Sequence, residues 1–440
     1  MRRFEYKDAR SYKFWEIEVT DAHYTVRYGK VGAEGVTQTK AYPDAAKVRA
    51  EADKKIREKT SKGYAEVASA APVRAVANEA EDWDVRADRL QAAGDPWGQR
   101  IALEMAREAA KGADKRKLGK ELAELDAAHG EHFFGPELLA LMQAEEFEKV
   151  ARLEWKHGYI VRAKVGSPEY GFKGPKVTAC LSAIAKSPAA EFLANLTVGL
   201  VDHEGGGLSG VVPALSSGRP LANLETLFLG DFSQDDQEIS WVGHGDLSPL
   251  WPITPKLRTL RLRGAGMKLG KFEHPSLQRL EIETGGLPAE SVASLAAAKL
   301  PELGHMEVWF GRTDYGGTVD ISKLMPLFSN PDLPKLEHLG LQNSEMQDAI
   351  AAALANSPLL AQVGSVDLSM GTLREPGVAA MVAAAKSFKH LKSLNLDANF
   401  IGYDLQERLR KAIGPAVKFG RQREPDRWDD EDHYYCSVGE

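Results

Sequence analysis

The dominant pattern in the chain is L-x-x-L-x-L, with other apolar residues allowed at its three fixed positions. It recurs at LANLTV (from Leu193), LETLFL (Leu224), LRTLRL (Leu257), LQRLEI (Leu277), LGHMEV (Leu303), LEHLGL (Leu336), VGSVDL (Val363) and LKSLNL (Leu391). Leu193 to Leu391 is 198 residues over seven intervals, about 28 each, the period of a stacked strand–loop–helix unit. The short apolar hexads predict strands. Between them, PAESVASLAAAKL and EPGVAAMVAAAKSF predict helices on the outer, convex side. Such units bury their apolar rows only against neighbours, so both ends need covers. EWKHGYIVRAKVG predicts one or two strands leading in. PAVKFGRQREPDRWDDEDHYYCSVGE is expected to close the far end, its acidic run shielding an open strand edge.

Upstream the periodicity changes twice. FWEIEV, HYTVRYGKV and GVTQTKAY alternate or are rich in β-formers and are separated by turn residues. PDAAKVRAEADKKIREKT then opens on proline and carries lysines toward its end, which predicts a helix stopping near Gly63. AEVASAAPVRAVANEA, residues 65–80, has the composition of a linker. VRADRLQAAG and GQRIALEMAREAAK predict helices broken at GDPWG. The expected organisation is therefore a small α+β domain (1–64), a linker (65–80), a helical module (81–154), about eight strand–loop–helix repeats with an N-terminal cap (155–402), and a C-terminal cap with an acidic tail (403–440).

Charge is unevenly spread along this plan. The net charge is −7, yet residues 1–64 hold 15 Lys/Arg against 10 Asp/Glu, a surplus of +5 that leaves −12 on the remainder. The basic end is where an anionic partner belongs. The first residues, MRRFEYKDARSYKFWEIEV, lack the apolar centre of a signal peptide, and no run of about 18 apolar residues occurs anywhere. A cytoplasmic chain without a membrane anchor is expected. Two cysteines, Cys180 and Cys436, build neither a disulfide framework nor a thiolate zinc site within one chain.

The first domain resembles a WGR domain, the module of poly(ADP-ribose) polymerases and many bacterial proteins. The resemblance is carried by Phe14-Trp15-Glu16-Ile17, Tyr28-Gly29-Lys30-Val31-Gly32, Gln38, Lys40, Lys54-Lys55-Ile56, Lys59 and Gly63-Tyr64. Tyr28 and Lys30 stand where the family's Trp and Arg are usual. In eukaryotic relatives those positions contact a DNA end, so the resemblance implies DNA or RNA at Arg27, Tyr28, Gly29, Lys30 and Lys40. ADRLQAAGDPWGQRIALEM resembles a helical module that precedes repeats in myxobacterial and planctomycete proteins. The hexads, together with VWFGRTDYGGTVDISKL and YYCSVGE, resemble a bacterial leucine-rich-repeat family of uncharacterised function, and a leucine-rich-repeat solenoid is expected.

Alternation along a strand puts Tyr28 and Lys30 on one face and Arg27 on the other. The same rule places the fifth residue of each hexad, and the residue just past it, on the concave face of the repeats. That face then holds Phe228, Arg261 and Arg263 in one zone and Glu281, Glu283, Glu307, Asp367 and Asp397 in another, with Trp309 exposed among the acids. The expectation is a protein partner with a basic surface. Other motifs read more plainly. GGGLSG at Gly205–Gly210 fits both a dinucleotide fingerprint and a repeat loop with extra glycine. HGEHF puts His129 and His132 at a spacing metal ligands use, without an acidic or cysteine partner in a recognisable motif. No nucleophile motif is present, so the chain is read as a non-enzymatic interaction protein without cofactor or metal. The competing reading is a nucleic-acid-binding regulator run by its first domain.

Overall fold

Residues 2–8, 11–20, 23–30, 36–42, 44–67, 82–204, 207–428 and 430–439 are described in the computed structural model. The protein is a multidomain α/β chain that divides into two compact units, Met1–Glu81 and Asp82–Glu440. Among the described residues no helix is long and apolar enough to cross a membrane.

In the first unit, strands β1 (Arg2–Asp8), β2 (Ser11–Val19), β3 (His23–Lys30) and β4 (Val36–Ala41) form an antiparallel meander. Helix α1 (Ala45–Thr60) follows, and β5 (Ala65–Val67) returns beside β1, so the sheet order is β4-β3-β2-β1-β5. Alternation sends Phe4, Trp15, Ile17 and Val26 to the face where Val48 and Ala52 of α1 are buried with them. The helix begins at Asp44, whose side chain accepts the Lys47 N–H at 2.8 Å. Asp44→Ala should cost this unit about 1 kcal/mol, seen as a lower melting midpoint of its transition. The expected linker begins with a strand, because Ala65 to Val67 find backbone partners on Glu5, Phe4 and Arg3. Residues 68–80 of it lie outside the described residues.

The second unit opens with α2 (Trp83–Ala92), α3 (Pro96–Ala109), α4 (Gly112–Phe134), α5 (Pro136–Met142) and α6 (Phe147–Val150). These do not stand apart as a module. Trp97 stacks on Tyr159 at 4.1 Å, and Ile101, Phe133 and Leu138 belong to the same buried cluster as the apolar hexads. Aromatic surface of that size is buried most fully against the neighbouring strands.

Those strands run in chain order across one long sheet. The antiparallel pair β6 (Ala151–Lys156) and β7 (Tyr159–Val165) opens it, and α7 (Val177–Lys186) follows. Next come β8 (Asn195–Val198), α8 (Val211–Ser216) and β9 (Thr226–Leu229). A separate parallel pair, β10 (Gly243–Asp246) and β12 (Ala265–Lys268), flanks β11 (Thr259–Arg263) in sequence. The long sheet continues through β11, β13 (Arg279–Glu283), β14 (His305–Gly311), β15 (His338–Ser344), β16 (Ser365–Asp367), β17 (Ser393–Asn395) and β18 (Val417–Lys418). From β7 onward neighbours are parallel.

The hexads set this register. Each fixed apolar position is at most 4% exposed. The second residue of each hexad donates its N–H to the carbonyl of the same position one strand back: Glu225 to Ala194, Arg258 to Glu225, Gln278 to Arg258, Gly304 to Gln278, Glu337 to Gly304, Gly364 to Glu337 and Lys392 to Gly364. At the ends of β14 and β15, and just past β16 and β17, the chain turns through Gly311, Asn343, Met370 and Ala398, all at positive φ.

The C-terminal segment departs from its expected role. β18 covers the last apolar strand, whereas β19 (Asp426–Trp428) and β20 (Glu431–His433), which hold the acidic run, pair only with each other in a two-stranded sheet. Residues beyond them run back along the loops. The Ser437 N–H bonds the Met370 carbonyl, and Asn343 bonds both backbone groups of Val438.

Candidate functional site

In the sheet of the first unit, register places Tyr6, Lys13 and Lys30 in one row and Phe4, Trp15 and Tyr28 in the next, the latter row facing the helix. Lys13 and Lys30 are direct antiparallel partners, a like-charge pairing that a sheet tolerates poorly without an anion near it. Lys59, in the last turn of α1, holds its ammonium 4.9 Å from the Tyr64 ring, 5.8 Å from Trp15 and 5.9 Å from Tyr28. Burial, with Lys62 and Lys55 nearby, holds its pKa below the ordinary lysine value. Tyr6 meets Tyr64 at 5.5 Å, and the Tyr28 hydroxyl accepts from Gln38 Nε2 at 3.1 Å.

The five residues expected to meet nucleic acid are thus split. Tyr28 is on the helix face, and the Lys30 side chain lies outside the described residues. Arg27 and Gly29 lie on the other face, where Arg27 Nε and Arg3 Nη1 each bond buried Glu16 at 2.7 Å and both guanidiniums lie over Phe14. Burial raises the Glu16 pKa, but the bonds from Arg27 and Arg3 outweigh it and hold the carboxyl below its usual value. Lys40 pairs in register with Tyr24, at the far end of the sheet, and leans over Tyr42 at 5.4 Å. Lys13, Lys59, Tyr6 and Tyr64 take their places beside Tyr28. Lys13 falls in the β2 alternation, but only pairing with β3 brings it opposite Lys30.

The outward face of the long sheet corrects the second expected site. Trp309 is 5% exposed and donates Nε1–H to Gln342 Oε1 at 3.1 Å, so it is a packed residue and no exposed anchor. The acids carry their own partners. Glu281 binds Arg279 at 2.6 Å, and Glu283 holds Arg261 at 2.8 Å and Arg263 at 2.7 Å. Asp367 accepts from the Ser369 N–H and from Asn395, and Asp397 accepts from the Ala398 and Arg421 N–H groups. Phe228 is buried beneath the Arg261 guanidinium, at 4.4 Å. Arg279, Arg261 and Arg263 thus take up Glu281 and Glu283, so those two acids are not the open negative surface on which a basic partner was expected.

Glu307 is the exception in its choice of partners, His305 at 3.0 Å and His338 at 3.4 Å. Both histidines occupy the third hexad position, which faces outward for the same reason as the fifth, so the alternation carried the signal. Of the other motifs, Gly205 and Gly206 lie outside the described residues, and Gly207 to Gly210 lead into α8. His132 is tied to Asp95 at 2.9 Å. Cys180 and Cys436 are buried free thiols whose pKa values burial pushes up to about 11 and about 12, which makes them poor nucleophiles.

Comparison with known proteins agrees with the first unit. The WGR domain family matches residues 1–71, and this N-terminal unit is a WGR domain. Two Escherichia coli K12 proteins are similar over the same region. Protein YehF is 41% identical over 68 residues, 16% of this chain and 25% of that protein. The uncharacterized protein YfeS is 43% identical over 65 residues, 15% of this chain and 27% of that one. The chain therefore spans about a quarter of the length of the curated relatives it matches. A crystal structure of a Bacteroides fragilis protein is similar over 100% of this chain and 99% of its own, with a TM-score of 0.57 and 25% identity.

Proposed function

We propose that the WGR domain binds nucleic acid through its phosphate backbone, on the helix face around Lys13, Lys30, Lys59, Tyr28 and Tyr64. The carrying observation is the direct register pairing of Lys13 with Lys30 beside a lysine held among three aromatic rings. A phosphate between the paired lysines relieves their repulsion, and half-buried tyrosines offer stacking surfaces worth about 1–3 kcal/mol per base. Among the described residues no recognition helix accompanies them, so weak sequence preference is expected. Fluorescence anisotropy of the full chain with blunt, nicked and single-stranded probes tests this reading. Three phosphate contacts should lower affinity roughly 40-fold between 50 and 200 mM salt, and Lys13→Ala should reduce the salt slope by about one. Absence of binding to every probe at low salt sinks it.

The second unit is read as a leucine-rich-repeat solenoid serving as a non-enzymatic protein-interaction scaffold. The recurring hexad hydrogen bonds and the periodic positive-φ turns support the repeat. The partner's charge is left open by the internal pairing of Arg261, Arg263, Glu281 and Glu283. Trp309→Ala is a poor probe because it opens a cavity, so half-exposed Thr226 and Thr259 on the outward face are the better positions. Arginine at both should block partner capture without changing thermal stability, and unchanged capture moves the surface elsewhere.

A further inference from the structure

The outward face brings three metal-ligating side chains from adjacent strands to one point. His305 on β14 and His338 on β15 are register partners, and their rings stack with centroids 4.2 Å apart at 13°. Glu307, two residues on from His305 and on the same face, has Oε1 3.0 Å from His305 Nε2 and 3.4 Å from His338 Nε2. The three ligand atoms all lie within 4.8 Å of one another, and among the described residues no other group of three or more converges in this way. Ligands at two corners of a zinc tetrahedron, with metal–ligand bonds of about 2.0–2.2 Å, stand about 3.3–3.5 Å apart. Two of the three separations are already close to that value.

The surroundings hold the ligands in this arrangement. His338 Nδ1 lies 2.8 Å from Ser365 Oγ, its register neighbour on β16, which fixes the ring with Nε2 toward Glu307. That Nε2 is buried and has no hydrogen-bond partner among the described residues. Gly340 is the register partner of Glu307, and a Cβ there would stand 3.0 Å from Glu307 Cγ, so the small residue leaves the carboxylate room. Arg279, the register partner of His305 on β13, is bonded to Glu281 at 2.6 Å.

We infer that His305, His338 and Glu307 form a binding site for a borderline divalent transition ion, with zinc as the reference occupant and a remaining position for water or an anionic group. Two imidazoles and one carboxylate suit such an ion better than calcium or magnesium, which prefer all-oxygen sets. The competing account is a His–Glu hydrogen-bond cluster that holds no metal.

The test is zinc titration of the full chain after chelator treatment, by competition with a chromophoric chelator, alongside the visible absorbance of cobalt as a geometry probe. One ion per chain is expected, with a four-coordinate cobalt spectrum and a zinc-dependent rise in melting temperature. His305→Gln and His338→Gln should each weaken zinc at least tenfold, and Ser365→Ala, which touches no metal, roughly 10- to 100-fold. Should a histidine variant fail to fold, Glu307→Gln keeps the side-chain shape and carries the same expected loss. Zinc retention no greater than background, or wild-type affinity in His338→Gln, overturns the assignment in favour of the hydrogen-bond cluster.

Discussion

A chain ending at His433 should unfold with about 3 kcal/mol less stability than the full-length protein, although the deleted residues add no strand to the long sheet. The reason is the set of buried groups that the tail satisfies. Asn343, wholly buried, donates to the Val438 carbonyl at 2.7 Å and accepts from its N–H at 2.8 Å. Arg423 divides its guanidinium among the carbonyls of Ala398, Gly371 and Tyr435, over the Phe400 ring. Ser437 takes the Met370 carbonyl, Ser240 donates to Gly439, and Arg312 lies over Tyr435. Removing the tail deprives Asn343, Arg423 and Met370 of partners, and each loss costs about 1–3 kcal/mol, with water entry favouring the low end. Because repeat stability propagates between neighbours, a strap across several loops influences all of them. Urea unfolding measures the effect. An unchanged midpoint would make the tail a free arm. Asn343→Ala offers a milder version, in which thiol labelling of buried Cys436 should accelerate as the strap opens more often.

The second large effect is acid lability. His244 is buried, with Nε2 2.9 Å from the Arg263 carbonyl and Nδ1 without a hydrogen bond among the described residues. Burial pushes its pKa down to about 4, and the Arg263 carbonyl offsets only part of this. The folded state therefore keeps the ring neutral while the unfolded chain takes up a proton near pH 6.5. This contribution is fully present above pH 6.5, is lost as pH falls, and levels off below about 4, for a total of about 3 kcal/mol. Buried His274, bonded to the Thr254 carbonyl, and His157 are held low by burial and act in the same direction. Stability measured across pH 7.5 to 4 should fall steeply, and His244→Gln, whose amide can still donate to Arg263, should remove about one proton from the slope. An unchanged slope would show that His244 is charged or hydrated in the folded protein.

Much of the architecture was legible in residue order. The eight hexads place their strands because a period-two apolar row has only one face to bury. The opening proline of PDAAKVRAEADKKIREKT also signals a helix start, whereas the Asp44 side-chain cap is seen only in the structure. WGR character likewise follows from local residues, Trp15, Gly29 and the Lys54–Lys59 helix among them. Exposure, partnership and convergence were not legible. Trp309 reads as a surface anchor along its own strand, yet it is buried, and its indole meets Gln342 from the next strand. Glu281 and Glu283 read as free acids until Arg279, Arg261 and Arg263 are brought beside them. Lys13 opposite Lys30, and His305 against His338, arise from pairing between strands. Sequence determines what each side chain offers and which face it occupies, since both depend on local backbone geometry. What it meets there depends on which strands lie side by side, and that is decided only when the whole apolar row is buried at once.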